Sequence, residues 1–351
     1  MGGLGELARN FAGALADEGC ATTVLTQVRD DGPTPPDEAP PVVRFRSRVG
    51  GRRFGYAPRL RRYARDHDRD FDVVHAFSYH APVALAVSGA VRTPLFFSPV
   101  FHAGGHSVLA RAAHLVYRPV AGRVFRRAER VFCLSRAERD EVLRVYPFCA
   151  AWTTVVPISV DPARYVGVEP FETTRPVILS ACRLDRYKRV DVLVRAMGAL
   201  GADATLVVLG TGPELEPLRT LAATVHPAGT VRVLGAVADV DVRRWQVTAT
   251  VVASLSTRES FGLSIAEGIV AGAAVVASDL PVHRETADGL GATPTYVAAA
   301  ATTGDVAAAL RSALAGGRPG RPAAPVRAWT DVARDTIAVY EDALAAPREH
   351  R

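Results

Sequence analysis

Two glutamates, Glu259 and Glu267, stand either side of the step Phe261-Gly262-Leu263 in the stretch RESFGLSIAE (258–267). Glycine permits close backbone approach or a positive φ, and Leu263 onward reads as a helix start. The N–H groups at 262–264 and the positive end of that helix would form an anion site. A carboxylate on each side could accept hydroxyls, which is the layout of a sugar, a diphosphate and a ribose. A second reading uses the same spacing: Ser264 and Glu267 fit a Ser-x-x-Glu capping box closing the first turn.

Other polar and glycine residues gather where short apolar runs end. Arg183 to Lys188 follow one run, Gly210-Thr-Gly212 another, and Pro99 to His106 a third. The elements that would position them alternate along the chain. Strands read at 21–26, 42–46, 71–76, 94–98, 130–135 and 153–157, then at 176–182, 204–210, 231–235, 249–254 and 273–279. Between them lie segments with apolar residues at three-to-four spacing, such as RVDVLVRAMGAL. This alternation implies parallel sheets covered by helices on both faces. Ligands of such sheets bind outside the carboxyl ends of the strands.

The chain has 351 residues, more than one ordinary core. The expected domains are 1–157 and 158–328, with a last helical segment at 329–351 returning to the first domain. Pro157 to Pro176 reads as the linker. Hydrophobic residues make up 48% and charged ones 22%, which excludes a disordered chain. No uncharged apolar run is long enough to span a membrane. Met1 leads into Gly2-Gly3-Leu4-Gly5 without a charged or apolar leader. The four cysteines are scattered and form no metal-like pair, so a reduced, cytoplasmic protein is expected. The net charge of +6 suits anionic partners: phosphate groups, nucleic acid or an anionic membrane face. Asp239-Val-Asp241 reads as the N-terminus of a helix rather than a metal site.

Taken together, several segments resemble one family, the retaining GT-B glycosyltransferases of group 1, family 4. CRLDRYKRVDVLVRAM resembles its GRLxxxKGxDxLIxA segment, and VVLGTGPELEPLRTLA its GxGPxxxxLxxLA segment. ESFGLSIAEGIVAGAAVVASD resembles its E-x7-E region, RVFCLSRAERDEVLRVY the end of its acceptor domain, and WTDVARDTIAVYEDAL its closing helix. The resemblance implies two Rossmann-like doubly wound domains facing a central cleft, the first binding an acceptor and the second a nucleotide-sugar donor. It implies transfer of a sugar, with retention, from a UDP- or GDP-sugar to a glycan or lipid-linked acceptor. The partners are that donor and acceptor, with an anionic membrane surface beside them and no nucleic acid. No cofactor and no essential metal are expected.

By the same resemblance Glu267 would bind the ribose, Glu259 the transferred sugar, and the amides of Phe261, Gly262 and Leu263 the diphosphate. Arg183 and Lys188 would hold the phosphates, with Gly3, Gly210 and Gly212 also lining the donor. Two fixed cations aimed at a leaving diphosphate stabilise the transition state more than the ground state. Changing Lys188 to Ala is expected to lower turnover far more than stability. His102 resembles the acceptor-side histidine, and Ser135 a family serine or a plain helix cap. His75 could face the cleft or be a satisfied core residue, while His106 and His114 read as plain polar residues.

Two departures stand out. Pro157-Ile-Ser-Val-Asp161 replaces the family's Pro-Asn-Gly-Val-Asp, and Arg189 stands where a glycine usually follows the lysine. A strand normally precedes the glycine loop and lies centrally in the first sheet. It is missing here, so the numbering is expected to begin late by roughly 10–15 residues. The alternative is a sheet that re-pairs to close the gap. Other functions are a sugar-nucleotide epimerase on the same fold or a non-catalytic partner subunit. Arginines crowd 44–69 and 111–130 among apolar residues, a pattern for resting on anionic headgroups or a solvated basic face.

Overall fold

The computed structural model describes residues 3–28, 40–47, 55, 57–102, 108–225 and 228–345. It divides into two compact units, Met1–Ile158 with Ala328–Arg351, and Ser159–Arg327.

In the first unit, β1 (Val24–Val28) pairs in parallel with β2 (Val42–Arg46). Separately, β3 (Val74–Phe77), β4 (Leu95–Ser98), β5 (Arg130–Cys133) and β6 (Thr153–Val155) form a parallel sheet in that order. Helices α1 (Gly3–Asp17), α2 (Pro58–Asp66), α3 (Pro82–Ser88), α4 (Val108–Arg127) and α5 (Arg136–Val145) connect them. Among the described residues no strand joins β1 to β3, although Leu25, Phe45 and Val74 share one apolar cluster with Leu60 and Ala64 of α2. The Gly-Leu-Gly segment begins α1 rather than a loop, with Gly3 as its first residue.

The second unit carries one six-stranded parallel sheet. Its strands are β7 (Val177–Ala181), β8 (Thr205–Leu209), β9 (Val231–Gly235), β10 (Val251–Ser254), β11 (Ala274–Ser278) and β12 (Thr295–Val297), in the order β12-β11-β10-β7-β8-β9. The unbroken apolar runs of β7, β8 and β10 belong to strands covered on both faces. Helices α6 (Val190–Leu200), α7 (Leu215–Ala222), α8 (Asp239–Thr248), α9 (Leu263–Val270), α10 (Pro281–Gly289) and α11 (Thr303–Gly316) supply that cover. α6 buries Val190, Leu193, Val194, Met197 and Leu200, one face at helical spacing. α9 packs tightly on β10: a Cβ on Gly268 would lie 2.7 Å from Val252 Cβ. Sequence patterning missed β12, a short strand with a tyrosine at its centre.

The last helix, α12 (Trp329–Ala345), belongs to the first unit. Its Val332, Ala333 and Tyr340 pack with Phe11 and Leu15 of α1 and with Phe96 and Phe132 of the sheet. The stretch 157–176 is not a free linker. Asp161 caps a turn at Pro162–Tyr165, and Val160 and Tyr165 are buried against Ala266 and Val270 of α9. The chain passes between units beside Ser159, whose hydroxyl donates to the carbonyl of Arg327. No described helix is long and apolar enough to cross a membrane. All four cysteines are free thiols.

Candidate functional site

The carboxyl ends of β7 and β10 bring together two residues that are 71 positions apart, Lys188 and Glu259. Lys188 ends a short 3-10 turn, Arg186–Lys188, and Glu259 lies in the loop before α9. The Lys188 ammonium donates to Glu259 Oε1, and Ser256 Oγ donates to the same oxygen at 2.7 Å. Both side chains are largely shielded, 11% and 15% exposed. Burial alone would raise the Glu259 carboxyl, but the charge and hydrogen bond of Lys188 outweigh it and hold the group below its ordinary value. Burial pulls Lys188 the other way, and Glu259 again wins, raising it above the ordinary lysine range. Both shifts keep the pair ionised near neutral pH. The Tyr187 ring supports it from below, 5.1 Å from the ammonium, and Tyr187 O accepts from Thr257 N at 2.9 Å.

Arg189 explains the departure from glycine after the lysine. Its φ of 51° and ψ of 35° are left-handed, the conformation glycine supplies most cheaply. Its guanidinium donates to the carbonyls of Ala299 and, at 2.8 Å, Ala301. An arginine thus accepts a strained backbone and clips the 299–301 loop to the residue beside Lys188.

The N-terminus of α9 differs from the capping-box reading. The N-cap is Gly262 at φ 85°, and no side chain caps the helix. Its carbonyl accepts from the amides of Ile265 and Ala266 at 3.0 and 3.1 Å. The positive φ confirms the need for glycine there. Phe261 O accepts from Thr286 Oγ1, which ties the turn to α10. Glu267 turns toward α8: Gln246 Nε2 donates to it at 2.9 Å, and Arg164 stands 3.7 Å from its other oxygen. Tyr165 OH in turn donates to Gln246 Oε1 at 3.1 Å.

His283 is a residue that sequence reading missed. It is fully buried on α10, with Nδ1 2.8 Å from the Ser278 carbonyl. Its ring edge lies against Gly262, where an added Cβ would meet Cδ2 at 3.0 Å. Among the described residues Nε2 finds no hydrogen-bond partner. Burial lowers its pKa, and Glu259 acts against that shift. Nothing in a lone histidine after a Pro-Val pair signals this position.

Arg183 and the glycines of 210–212 lie at the same strand ends. Arg183 Nε donates to the buried Asp185 at 2.7 Å and leaves its side chain 47% exposed. Gly210 and Gly212 have a packing reason of their own. A Cβ on Gly210 would fall 1.8 Å from Cys182 O, and one on Gly212 2.2 Å from Leu184 O. The two loops touch backbone to backbone, with Leu184 N donating to Thr211 O at 3.0 Å. Asp239 and Asp241 lie inside the first turn of α8, and neither is its N-cap, which is Ala238. They pair with arginines, Asp239 with Arg243 at 2.7 Å and Asp241 with Arg244 at 4.0 Å.

His102 and Gly3 belong to the first unit. His102 follows β4 and is half-buried, its ring facing that of His80. His75 lies inside the sheet packing instead. Its nitrogens pair with Tyr340 OH at 2.5 Å and Ser98 Oγ at 2.8 Å, and burial pushes its pKa down to about 3. It is a satisfied core histidine. Ser135 caps α5, accepting from Glu138 N at 2.9 Å. Glu138, also missed, is buried and accepts from the amides of Phe101 and Leu134, while burial pushes its carboxyl up to about 8. His106 and the side chain of His114 lie outside the described residues. Within the arginine-rich stretches, Arg127 donates to the carbonyl of Arg92 at 2.9 Å and Arg130 to Asp342 at 2.8 Å. Among the described residues no group of three or more ligating side chains could hold a metal.

Each of the two units carries a parallel sheet covered by helices. Residues 1–164 match the model of Glycosyltransferase Family 4, and residues 164–319 that of Glycosyl transferases group 1. The chain belongs to the group 1 glycosyltransferases and has their GT-B fold. It is 34% identical over 163 residues to a D-inositol 3-phosphate glycosyltransferase of Xylanimonas cellulosilytica, a match over 41% of this chain and 39% of that protein. Among solved structures it is similar to sucrose-phosphate synthase from Thermosynechococcus elongatus, with a TM-score of 0.77 and 18% identity over 98% of this chain and 94% of that one. WaaG, a glycosyltransferase involved in lipopolysaccharide biosynthesis, gives 0.69 and 18% over 99% and 97%. Anabaena HepE, solved with UDP and glucose, gives 0.68 and 17% over 98% and 96%.

Proposed function

We propose that the protein is a retaining glycosyltransferase that moves a sugar from a UDP- or GDP-sugar to a glycan or lipid-linked acceptor. The observation that supports this most is the buried Lys188–Glu259 pair beside the glycine-led N-terminus of α9. A diphosphate bound there would meet the free amides of the first turn and the positive end of the helix. It would also draw Lys188 toward itself, freeing Glu259 to accept hydroxyls of the transferred sugar. As the glycosidic bond breaks, negative charge grows on the leaving diphosphate, where Lys188 and the exposed Arg183 stabilise it. Glu267, held by Gln246 and Arg164, would accept from the ribose. These cations cover the phosphates, so the reading includes no essential metal. The solved complexes of HepE with UDP and glucose support the donor class.

The test is a thermal-shift screen of UDP-, GDP- and ADP-sugars, followed by product analysis with the donor that binds. Acceptor-dependent release of the nucleoside diphosphate, with the product in the donor's anomeric configuration and activity retained in EDTA, is the expected result. An altered sugar still attached to its nucleotide would mark an epimerase. Binding of no donor would leave a non-catalytic subunit. For the membrane surface, sedimentation with anionic but not neutral liposomes at low salt is expected, and no lipid-dependent binding would remove it.

A further inference from the structure

His283 has a partner on one ring nitrogen and none on the other. Nδ1 stands 2.8 Å from the Ser278 carbonyl. A carbonyl oxygen only accepts, so Nδ1 carries the hydrogen. That fixes the tautomer of the neutral ring and leaves Nε2 as a bare lone pair. The residue is 0% exposed, and among the described residues Nε2 has no partner. Buried polar atoms are nearly always paired, so an orphaned acceptor calls for a reason.

The ring edge that carries Nε2 is aimed at the start of α9. A Cβ placed on Gly262 would lie 3.0 Å from Cδ2 and 3.6 Å from Nε2, so glycine at the N-cap leaves that edge against bare backbone. Thr286, three residues on and on the same face of α10, donates to the Phe261 carbonyl and fixes the spacing. The turn so held offers the amides at 262–264, which have no acceptor inside the helix, and the positive helix end. Glu259 and Lys188, from the loops after β10 and β7, act on the ring in opposite directions and pair with each other. Tyr296 of β12 donates to the His283 carbonyl at 3.4 Å, and Arg284 pairs with Asp279 at 2.6 Å, both exposed. Burial is then the largest influence on the ring and keeps it neutral until an anion arrives.

We propose that a phosphate group or similar oxyanion at the α9 turn binds together with a proton, which His283 takes up on Nε2, so that nucleotide-sugar affinity follows pH through a buried histidine outside the Lys188–Glu259 pair. The proton comes from solvent and adds to the Nε2 lone pair, and no bond of the ligand changes. The ring thereby passes from acceptor to donor on the edge that faces the turn. An opposite charge within about 4–6 Å is enough to favour the charged form, so the ring need not leave its pocket. The inference rests on the reading of this turn as the diphosphate site.

The test follows the histidine resonances of the isotope-labelled full chain by NMR across a pH series. It is run in chloride, in sulfate at equal ionic strength, and with UDP-glucose or GDP-mannose. The diphosphate of a nucleotide sugar carries no group that titrates near neutral pH, so a proton taken up belongs to the protein. His283 is assigned by the signal missing from His283→Asn, whose amide can still donate to Ser278 O. In chloride the ring should be neutral with its hydrogen on Nδ1. With at least one probe its titration midpoint should rise by about one unit or more. The affinity for that probe should then fall about tenfold as pH rises across the two midpoints, and stay flat there in His283→Asn. A midpoint unmoved by every probe, a hydrogen on Nε2 in chloride, or the same pH dependence in His283→Asn overturns the proposal. The wild-type midpoint decides even if the variant does not fold. A midpoint raised by sulfate, with neither nucleotide sugar bound and no turnover, would refute the transferase reading and leave the proton-coupled anion site. Turnover with an unmoved midpoint would do the reverse.

Discussion

Lys188 and Glu259 meet in a buried ion pair between the loops that follow β7 and β10, with Ser256 donating to the same carboxylate oxygen. The pair changes what a lysine substitution should do. From the sequence, Lys188→Ala is expected to spare stability. In the structure it leaves Glu259 buried without its cation, a change that typically costs about 3–5 kcal/mol. Lys188→Ala should therefore lose both turnover and stability, and Lys188→Ala with Glu259→Gln should recover part of the stability but none of the turnover. Urea unfolding and steady-state kinetics on the three proteins would check this. A single variant as stable as wild type would contradict the pair.

The same pair sets a pH dependence. The Glu259 carboxyl is held below its unfolded value of about 4.3. Its contribution is present above that unfolded value and is lost as pH falls through the depressed folded one. Wild-type stability should fall more steeply in acid than that of Glu259→Gln. Lys188 acts oppositely: raised above about 10.4, it stabilises below that value and loses the effect as pH rises through the folded one. Parallel acid limbs for wild type and Glu259→Gln, measured by denaturation at stepped pH, would count against it.

Arg189 should behave as a clip that offsets backbone strain. Arg189→Ala keeps the left-handed backbone and loses both carbonyl contacts, so a loss of about 1–3 kcal/mol is expected. Arg189→Gly also loses the clip but relieves the strain, and should lose less. An alanine variant at least as stable as the glycine variant, by chemical denaturation, would refute the account.

The glycines at 210 and 212 predict a contrast with Gly198. Alanine at Gly210 would drive Cβ to 1.8 Å from a carbonyl oxygen, whereas at Gly198, inside α6, nothing lies within 4 Å. Gly210→Ala should melt well below wild type. Gly198→Ala should gain about 0.5–1 kcal/mol. Calorimetry of both reads the result, and equal melting temperatures would show that the 182 and 210 loops do not touch as described.

Much of this was legible because the physics is local. β-branched runs and helical spacing mark β7 to β11 and α6, and a glycine before a helix marks the α9 turn. What stayed hidden depends on partners far away in sequence. Ser264 and Glu267 have capping-box spacing, but Gly262 takes the cap and Glu267 turns to Gln246 and Arg164. Arg189 reads as a lost glycine until its carbonyl partners at 299 and 301 are seen. His75 is satisfied by Tyr340, 265 positions away. The pairing of Lys188 with Glu259 likewise crosses 71 positions, which no local pattern encodes.

The most direct test of the central claim is nucleotide-sugar binding by the wild-type chain and by Glu267→Gln, by calorimetry, with the donor found in the screen. The wild-type protein should bind a UDP- or GDP-sugar. Glu267→Gln should bind it about tenfold or more weakly while still unfolding in one cooperative transition at a somewhat lower temperature, because the amide oxygen can still accept from Gln246 while the charge that faces Arg164 and would hold the ribose hydroxyls is gone. Equal affinity in the two proteins would contradict the ribose role, and no binding by the wild-type chain would contradict the donor site itself.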